Sequence, residues 1–445
     1  MHRTLFLIPH EIGPLPLFGI GWLLILLGAG FFIRMVVAHR QWVASQNTIP
    51  TSESAGDQAN TSLPRPPSPA EVLKTEGWFW LLAGIVVAVF LPNAELQNVD
   101  GQPVGLAVRS YGAFVVMGLF SAIGLAMYRA KQRGLPPETI TSLIPWVFVP
   151  GIVGARMFYV IQYRQDYIQD NFIDTLKRMA SFTEGGLVVY GSMIGGFLGY
   201  LIFSRIYRLS MLRMGDVLIP CLFLGVFLGR IGCLMNGCCY GGACEPSALS
   251  VQFPPNSPVY KEQLASGSLL GMQIEPETNR IDEVQPSSVA DTLGITAGQT
   301  FERGNFDPRT RETADRAIPE EDVPLGWGMQ ISGRYFYLSP DDLPAKANPV
   351  VAAQVISSLT ALVLCISLCV LDRFIAKDGV LLFSGFAGYA VIRFILEIVR
   401  VDEGGQLGTS FSISQWVSMV VFALCLTALA IVLRKKPNSD SLVTP

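Results

Sequence analysis

Val217-Leu218-Ile219-Pro220-Cys221-Leu222-Phe223-Leu224-Gly225-Val226-Phe227-Leu228-Gly229-Arg230-Ile231-Gly232-Cys233-Leu234-Met235-Asn236 decides the fold. A helix crossing a bilayer takes about 20 mostly apolar residues, and this run supplies them with one charge, Arg230. Comparable runs lie on both sides of it. Candidate spans fall at roughly 14–34, 77–93, 106–128, 138–160, 186–204, 215–236, 350–371, 379–400 and 412–433. No small-residue cleavage site follows Phe32, so the first is expected to be retained rather than removed as a signal peptide.

Composition agrees. Half of the 445 residues are hydrophobic and 15% are charged, and the mean hydropathy is +0.42; soluble chains carry about a quarter charged residues. The balance of 32 basic and 35 acidic residues gives no electrostatic footprint for nucleic acid. Eight cysteines are too sparse for a small disulfide scaffold. The expectation is an all-α polytopic membrane protein of about nine transmembrane helices, with a small periplasmic α+β insert.

Lys and Arg in short loops set orientation. Arg34 and Arg40 follow the first span, Arg129, Lys131 and Arg133 the third, and Arg205, Arg208 and Arg213 the fifth. Arg373 and Lys377 follow the seventh, and Arg434, Lys435 and Lys436 the ninth. Every cluster comes after an odd-numbered span, which puts the N-terminus in the periplasm and the C-terminus in the cytoplasm.

The chain divides into an N-terminal helix (1–40), a disordered cytoplasmic linker (41–75) and an extra transmembrane helix (76–97). A core in two parts (98–241 and 349–436) brackets the periplasmic insert (242–348), and a cytoplasmic tail (437–445) ends the chain. Within the insert, Ile281–Val284 precedes a small-residue-capped helix and a Gly turn running to Gln299, which resembles the middle of a PDZ domain and implies a site for a periplasmic peptide. A plain structural cap over the membrane domain is the other reading.

Ionisable residues inside a membrane are costly and mark function. Arg230 and Arg393 each lie 14 residues beyond the expected entry points of their spans, Asp216 and Gly379, about 21 Å of helical rise. They are expected at one depth, near the outer headgroups. Glu397 and Arg400 follow Arg393 on one helical face, and Tyr111 and Tyr190 reach a similar depth. Two arginines can hold a phosphate by bidentate, charge-assisted hydrogen bonds. The alternative is snorkelling plus an Arg393–Glu397 ion pair that joins helices. Glycines crowd the same region, among them Gly191, Gly195, Gly229, Gly232 and Gly241, as a lipid-accessible pocket would need.

Taken in order, these residues resemble the prolipoprotein diacylglyceryl transferase family over about 98–260 and 343–433. The elements are Arg109-Ser110-Tyr111-Gly112, Gly154-Ala155-Arg156, Glu184-Gly185-Gly186-Leu187, Asp216 and Gly229-Arg230-Ile231-Gly232 through Asn236-Gly237 to Tyr240-Gly241. Val251-Gln252-Phe253-Pro254, Arg393-Phe394-Ile395-Leu396-Glu397 with Arg400, and Ser412-Ile413-Ser414-Gln415 complete the set. The resemblance implies a seven-helix core, with two N-terminal helices added here. It implies transfer of the diacylglyceryl group of phosphatidylglycerol to the lipobox cysteine of prolipoproteins, without metal or cofactor. Arg230 and Arg393 match the family's essential arginines, Tyr111, Tyr389, Asn236 and Gly241 its pocket, and Glu397 with Arg400 its outer gate. Where the family commonly has a histidine proposed as base, this chain has Tyr190. A tyrosine hydroxyl, with an ordinary pKa of about 10, is a poor base near neutral pH. Cys233 replaces an asparagine, and Val351-Ala352 a His-Pro element, with Gln354 kept.

Cys233, Cys238, Cys239 and Cys244 gather after the sixth span, where a disulfide is expected on the oxidising side. A zinc site is the second reading and lacks the paired two-residue spacing. The three histidines, His2, His10 and His39, all precede the core, so none serves there as base or ligand. A non-catalytic, lipid-binding protein that meets partners through its insert is the rival to the enzyme. A transporter would want repeated halves, and no internal repeat is visible.

Overall fold

The run around Arg230 is one helix among several of similar length. The computed structural model describes residues 4–12, 15–16, 20–46, 96–97, 103–167, 171, 175, 179, 188–275, 277–307, 326–375, 377–399, 409 and 411–434. The long helices are α1 (Ile20–Gln46), α2 (Ser110–Gln132), α3 (Glu138–Gln162), α4 (Val189–Ile206), α5 (Met211–Asn236), α6 (Ala353–Leu371), α7 (Val380–Val399) and α8 (Ile413–Arg434). Among the described residues, six are long and apolar enough to cross a membrane: α2, α3, α5, α6, α7 and α8. The protein is a multi-pass, mostly helical membrane protein carrying small sheets.

The chain forms two compact units. One holds Ser110–Tyr260 and Lys346–Pro445, hence α2 to α8. Inside it α2 packs on α5, α5 on α6, α7 on α8 and α3 on α4. Where lipid offers no hydrophobic gain to helix pairing, close packing of small residues must supply it. The α3–α4 seam shows this: a Cβ at Gly191 would fall on the carbonyl oxygen of Gly154, and one at Gly199 on that of Trp146. A hollow of about 340 Å³ opens on the same pair, lined by Val147, Phe148, Gly151, Ile152, Ala155, Val188 and Ser192. It is apolar and holds neither Arg230 nor Arg393.

The other unit comprises His2–Arg109 and Lys261–Ala345. In its first part Thr4–Pro9 pairs antiparallel with Pro103–Arg109, which also pairs with Leu96–Gln97. Its second part has a core of its own around Leu264, Leu270, Met272, Ile281, Ile295, Trp327, Met329 and Ile331. Phe301–Asp307, Gly326–Ile331 and Arg334–Leu338 make a three-stranded antiparallel sheet there. Ile281–Val284 leads into a short helix, Val289–Thr292, whose N-terminus the Ser288 hydroxyl caps. Gly294 then turns the chain at φ 73°. This local order matches the sequence reading.

Several boundaries differ from expectation. The third span was expected from 106, but Pro103–Arg109 is a strand and the helix starts at Ser110. An apolar run alone does not separate the two states, and here the β-branched Val104 and Val108 flank a Gly105 whose Cβ would overlap Ile8 O. The first span was expected over 14–34; Leu15–Pro16 is a strand, and the helix runs from Ile20 to Gln46, taking residues 41–46 from the expected linker. The rest of that linker, the span at 77–93, Glu184, Arg400 and the tail from 437 lie outside the described residues.

Candidate active site

Helix α5 starts at a Ser210 N-cap and ends at Gly237, a left-handed C-cap at φ 75°. Its second turn is anchored by charge. Asp216, fully buried, accepts the backbone N–H of Gly379 at 2.7 Å and of Leu382 at 2.8 Å, and pairs with Arg133 at 3.1 Å. Arg129, 2% exposed, donates to the carbonyl oxygens of Asp216 at 2.9 Å and Val217 at 3.2 Å and pairs with Asp372 at 3.1 Å. Arg133 also pairs with Asp372 and Asp378. The cations read as orientation signals thus lock α2, α5, α6 and the start of α7 together. Nothing in the sequence alone paired Asp372 and Asp378 with them.

Asp216 and Leu382 are 166 residues apart. The same separation relates Ile219 to Gly385, where a Cβ would stand 2.6 Å from Ile219 Cγ1. It also relates Phe223 to Tyr389, whose rings lie 5.6 Å apart. α5 and α7 therefore run parallel, in contact from Asp216 to Phe223 on one and from Gly379 to Tyr389 on the other. Asp216 and Gly379, from which Arg230 and Arg393 are each 14 residues distant, meet directly at 2.7 Å.

The two arginines differ in their commitments. Arg393 pairs with Glu397 at 2.5 Å and donates to Ser414 Oγ at 3.0 Å. Glu397, 6% exposed, accepts from Ser412 Oγ at 3.0 Å. Ser412 and Gln415 cap α8 reciprocally, each backbone N–H bonded by the other's side chain. The Ser-x-x-Gln spacing was the available signal for this partner of Glu397. Arg393 and Glu397 thus join α7 to α8. Arg230 is half-buried, sits between Gly229 and Ile231, and makes no hydrogen bond or ion pair with any described residue. A guanidinium with no hydrogen bond or ion pair among the described residues, between apolar helices, is suited to an anion from outside.

Tyr111 lies across α5 from this point. A Cβ at Gly232 would stand 3.3 Å from its ring, and its hydroxyl interacts electrostatically with Arg230, Cys233, Cys238 and Cys239. Tyr389 packs on Phe223. The Asn236 side chain bonds Cys238, and Gly241 N–H donates to Val351 O at 2.8 Å. Gln354, fully buried, donates to Cys238 O at 2.7 Å. Tyr190, 63% exposed at the start of α4, makes no hydrogen bond with a described residue. None of the eight cysteines forms a disulfide. The thiols of Cys233, Cys238 and Cys239, where a disulfide was expected, cluster without one, and Cys244 stays outside the group.

A family model described as Prolipoprotein diacylglyceryl transferase matches residues 102–431. A phosphatidylglycerol–prolipoprotein diacylglyceryl transferase of Rhodopirellula baltica is 40% identical over 465 residues, covering 97% of this chain and 89% of its own. One of Clostridium perfringens is 32% identical over 38% of this chain and 67% of its own. One of Lysinibacillus sphaericus is 32% identical over 36% and 58%.

Proposed function

The chain belongs to the prolipoprotein diacylglyceryl transferase family, and on that premise we propose which residues carry its reaction. The enzyme transfers the diacylglyceryl group of phosphatidylglycerol to the thiol of a prolipoprotein's lipobox cysteine. A thioether forms and glycerol phosphate leaves, in the first step of lipoprotein maturation.

The phosphodiester must depart as an anion, and charge developing on it in a low-dielectric site is stabilised most by preorganised donors. Arg230 is the primary phosphate ligand in this reading. The observation that supports it is its guanidinium, which makes no hydrogen bond or ion pair with a described residue. Arg393, held by Glu397 and Ser414, adds a second, already oriented guanidinium. Tyr111, Tyr389, Asn236 and Gly241 line the headgroup site, and Glu397 and Arg400 form its gate. Tyr190 orients substrate without taking its proton.

The bias of Lys and Arg towards one set of loops supports a bacterial inner-membrane location with the N-terminus periplasmic and the C-terminus cytoplasmic. The insert then faces the periplasm, where its strand–helix–turn unit is proposed to take an extended peptide.

Restoring growth to cells depleted of their own transferase tests the whole reading. Wild-type protein should restore growth and Arg230→Ala should not, at equal membrane abundance. Equal rescue by both would remove Arg230 from the site.

A further inference from the structure

Three thiols converge where α5 ends. Gly237 closes the helix left-handed, and Cys239 also takes a left-handed φ, 61°. Two such residues so close curl the chain back on itself, and the Sγ atoms of Cys233, Cys238 and Cys239 all lie within 4.8 Å of one another. A left-handed non-glycine residue is uncommon and persists only where its surroundings hold it. The backbone here is well held. Gly237 N–H and Cys238 N–H both donate to Cys233 O, at 3.0 and 3.2 Å, and Gln354 grips Cys238 O.

We propose that Cys233, Cys238 and Cys239 form a three-thiolate site for a thiophilic divalent metal of the zinc class, whose fourth position receives the substrate's lipobox sulfur. The proposal rests on the transfer reaction above and supplies the group it lacks, a means of deprotonating the thiol. Tetrahedral zinc–thiolate bonds of about 2.3 Å place sulfurs about 3.8 Å apart, so the thiols need close by no more than about an ångström. Catalytic zinc keeps three protein ligands and one open position, whereas structural zinc is closed by four. The described cluster stops at three, and the chain has no histidine after His39 to act as ligand or base.

The placement suits the chemistry. Cys233 follows Arg230 by one helical turn, about 4.5 Å of rise, so nucleophile and phosphate ligand would share one end of α5. A thiol bound to such a metal is deprotonated outright. Its sulfur then forms a bond to the glyceryl C3 carbon as the C3–O bond to phosphorus breaks. The electron pair of that bond leaves on the glycerol phosphate oxygen, which recovers the proton the thiol gave up. Nothing is oxidised or reduced.

The test uses the full-length chain, purified in detergent under reducing conditions and titrated with Zn(II) or Co(II) alone. One metal should bind per chain, with a sulfur-to-cobalt charge-transfer band. Cys238→Ser and Cys239→Ser should each weaken binding about a hundredfold, and Cys244→Ser should not. A lipobox peptide should alter the cobalt spectrum, and its serine analogue should not. Folded, reduced protein that takes up no metal would overturn the proposal, as would loss of two hydrogens from the cluster through a disulfide in protein isolated without reductant. Transfer that continues at full rate after complete metal removal would sink the site and leave the family reaction standing. Metal bound with no transfer at all would do the reverse.

Discussion

Asp216 on α5 accepts the backbone N–H of Leu382 at 2.8 Å, so a side chain of one transmembrane helix caps the first turn of another. The same carboxylate holds Gly379 N–H and Arg133. Asp216→Ala strips two capping bonds and leaves Arg133 short of a buried partner, at a cost of about 3 kcal/mol or more. Thermal unfolding in detergent should show a clearly lowered midpoint, with Asp216→Asn intermediate. An unchanged midpoint for Asp216→Ala would show that the network at this end of the bundle contributes nothing.

Arg230 should behave differently. Arg230→Ala leaves no protein group unpaired among the described residues, so the fold should be unaffected. Transfer from phosphatidylglycerol should fall at least about a hundredfold, the scale expected for one lost charge-stabilising donor. Glycerol phosphate release by reconstituted protein measures it. Arg230→Lys should recover only part, because an ammonium cannot make the bidentate contact.

Arg393→Ala is expected to cost both activity and stability, because it abandons the buried carboxylate of Glu397. Replacing the pair together, Arg393→Met with Glu397→Leu, should return the unfolding midpoint to within about 1 kcal/mol of wild type without restoring transfer. A double variant that transfers at the wild-type rate would make Arg393 a helix tether and nothing more.

Tyr190→Phe should lower turnover less than about tenfold, since the exposed hydroxyl engages no described group. Steady-state rates across pH provide the check. A dead Tyr190→Phe enzyme with normal lipid binding would return proton transfer to this hydroxyl.

The spans around Arg230 and Arg393 were legible because twenty apolar residues in a row leave little alternative to a helix in lipid. Pro103–Arg109 was not, since a short, mostly apolar run suits a strand as well, and the partner strand, Thr4–Pro9, lies about a hundred residues away. Spacing along α7 correctly placed Arg393 and Glu397 on one face. It could not show that Glu397 is also held by Ser412, next to α8, nor that Asp216 caps the start of α7. The sequence gathered the four cysteines after the sixth span, but linear spacing could not show that the left-handed turns at Gly237 and Cys239 bring three of the sulfurs together.

Ser250–Val251 pairs with Val350–Val351, and Ala347 N–H reaches Phe253 O at 2.9 Å. The chain therefore departs from the helical bundle and rejoins it through neighbouring stumps already stitched to each other. Because the entropy of closing a loop grows only slowly with its length, that seam could carry a few residues or a hundred with little change in what it asks of the bundle. Residues 261–345 occupy the position of a cassette, open to exchange or enlargement while the lipid chemistry of the bundle continues unaltered.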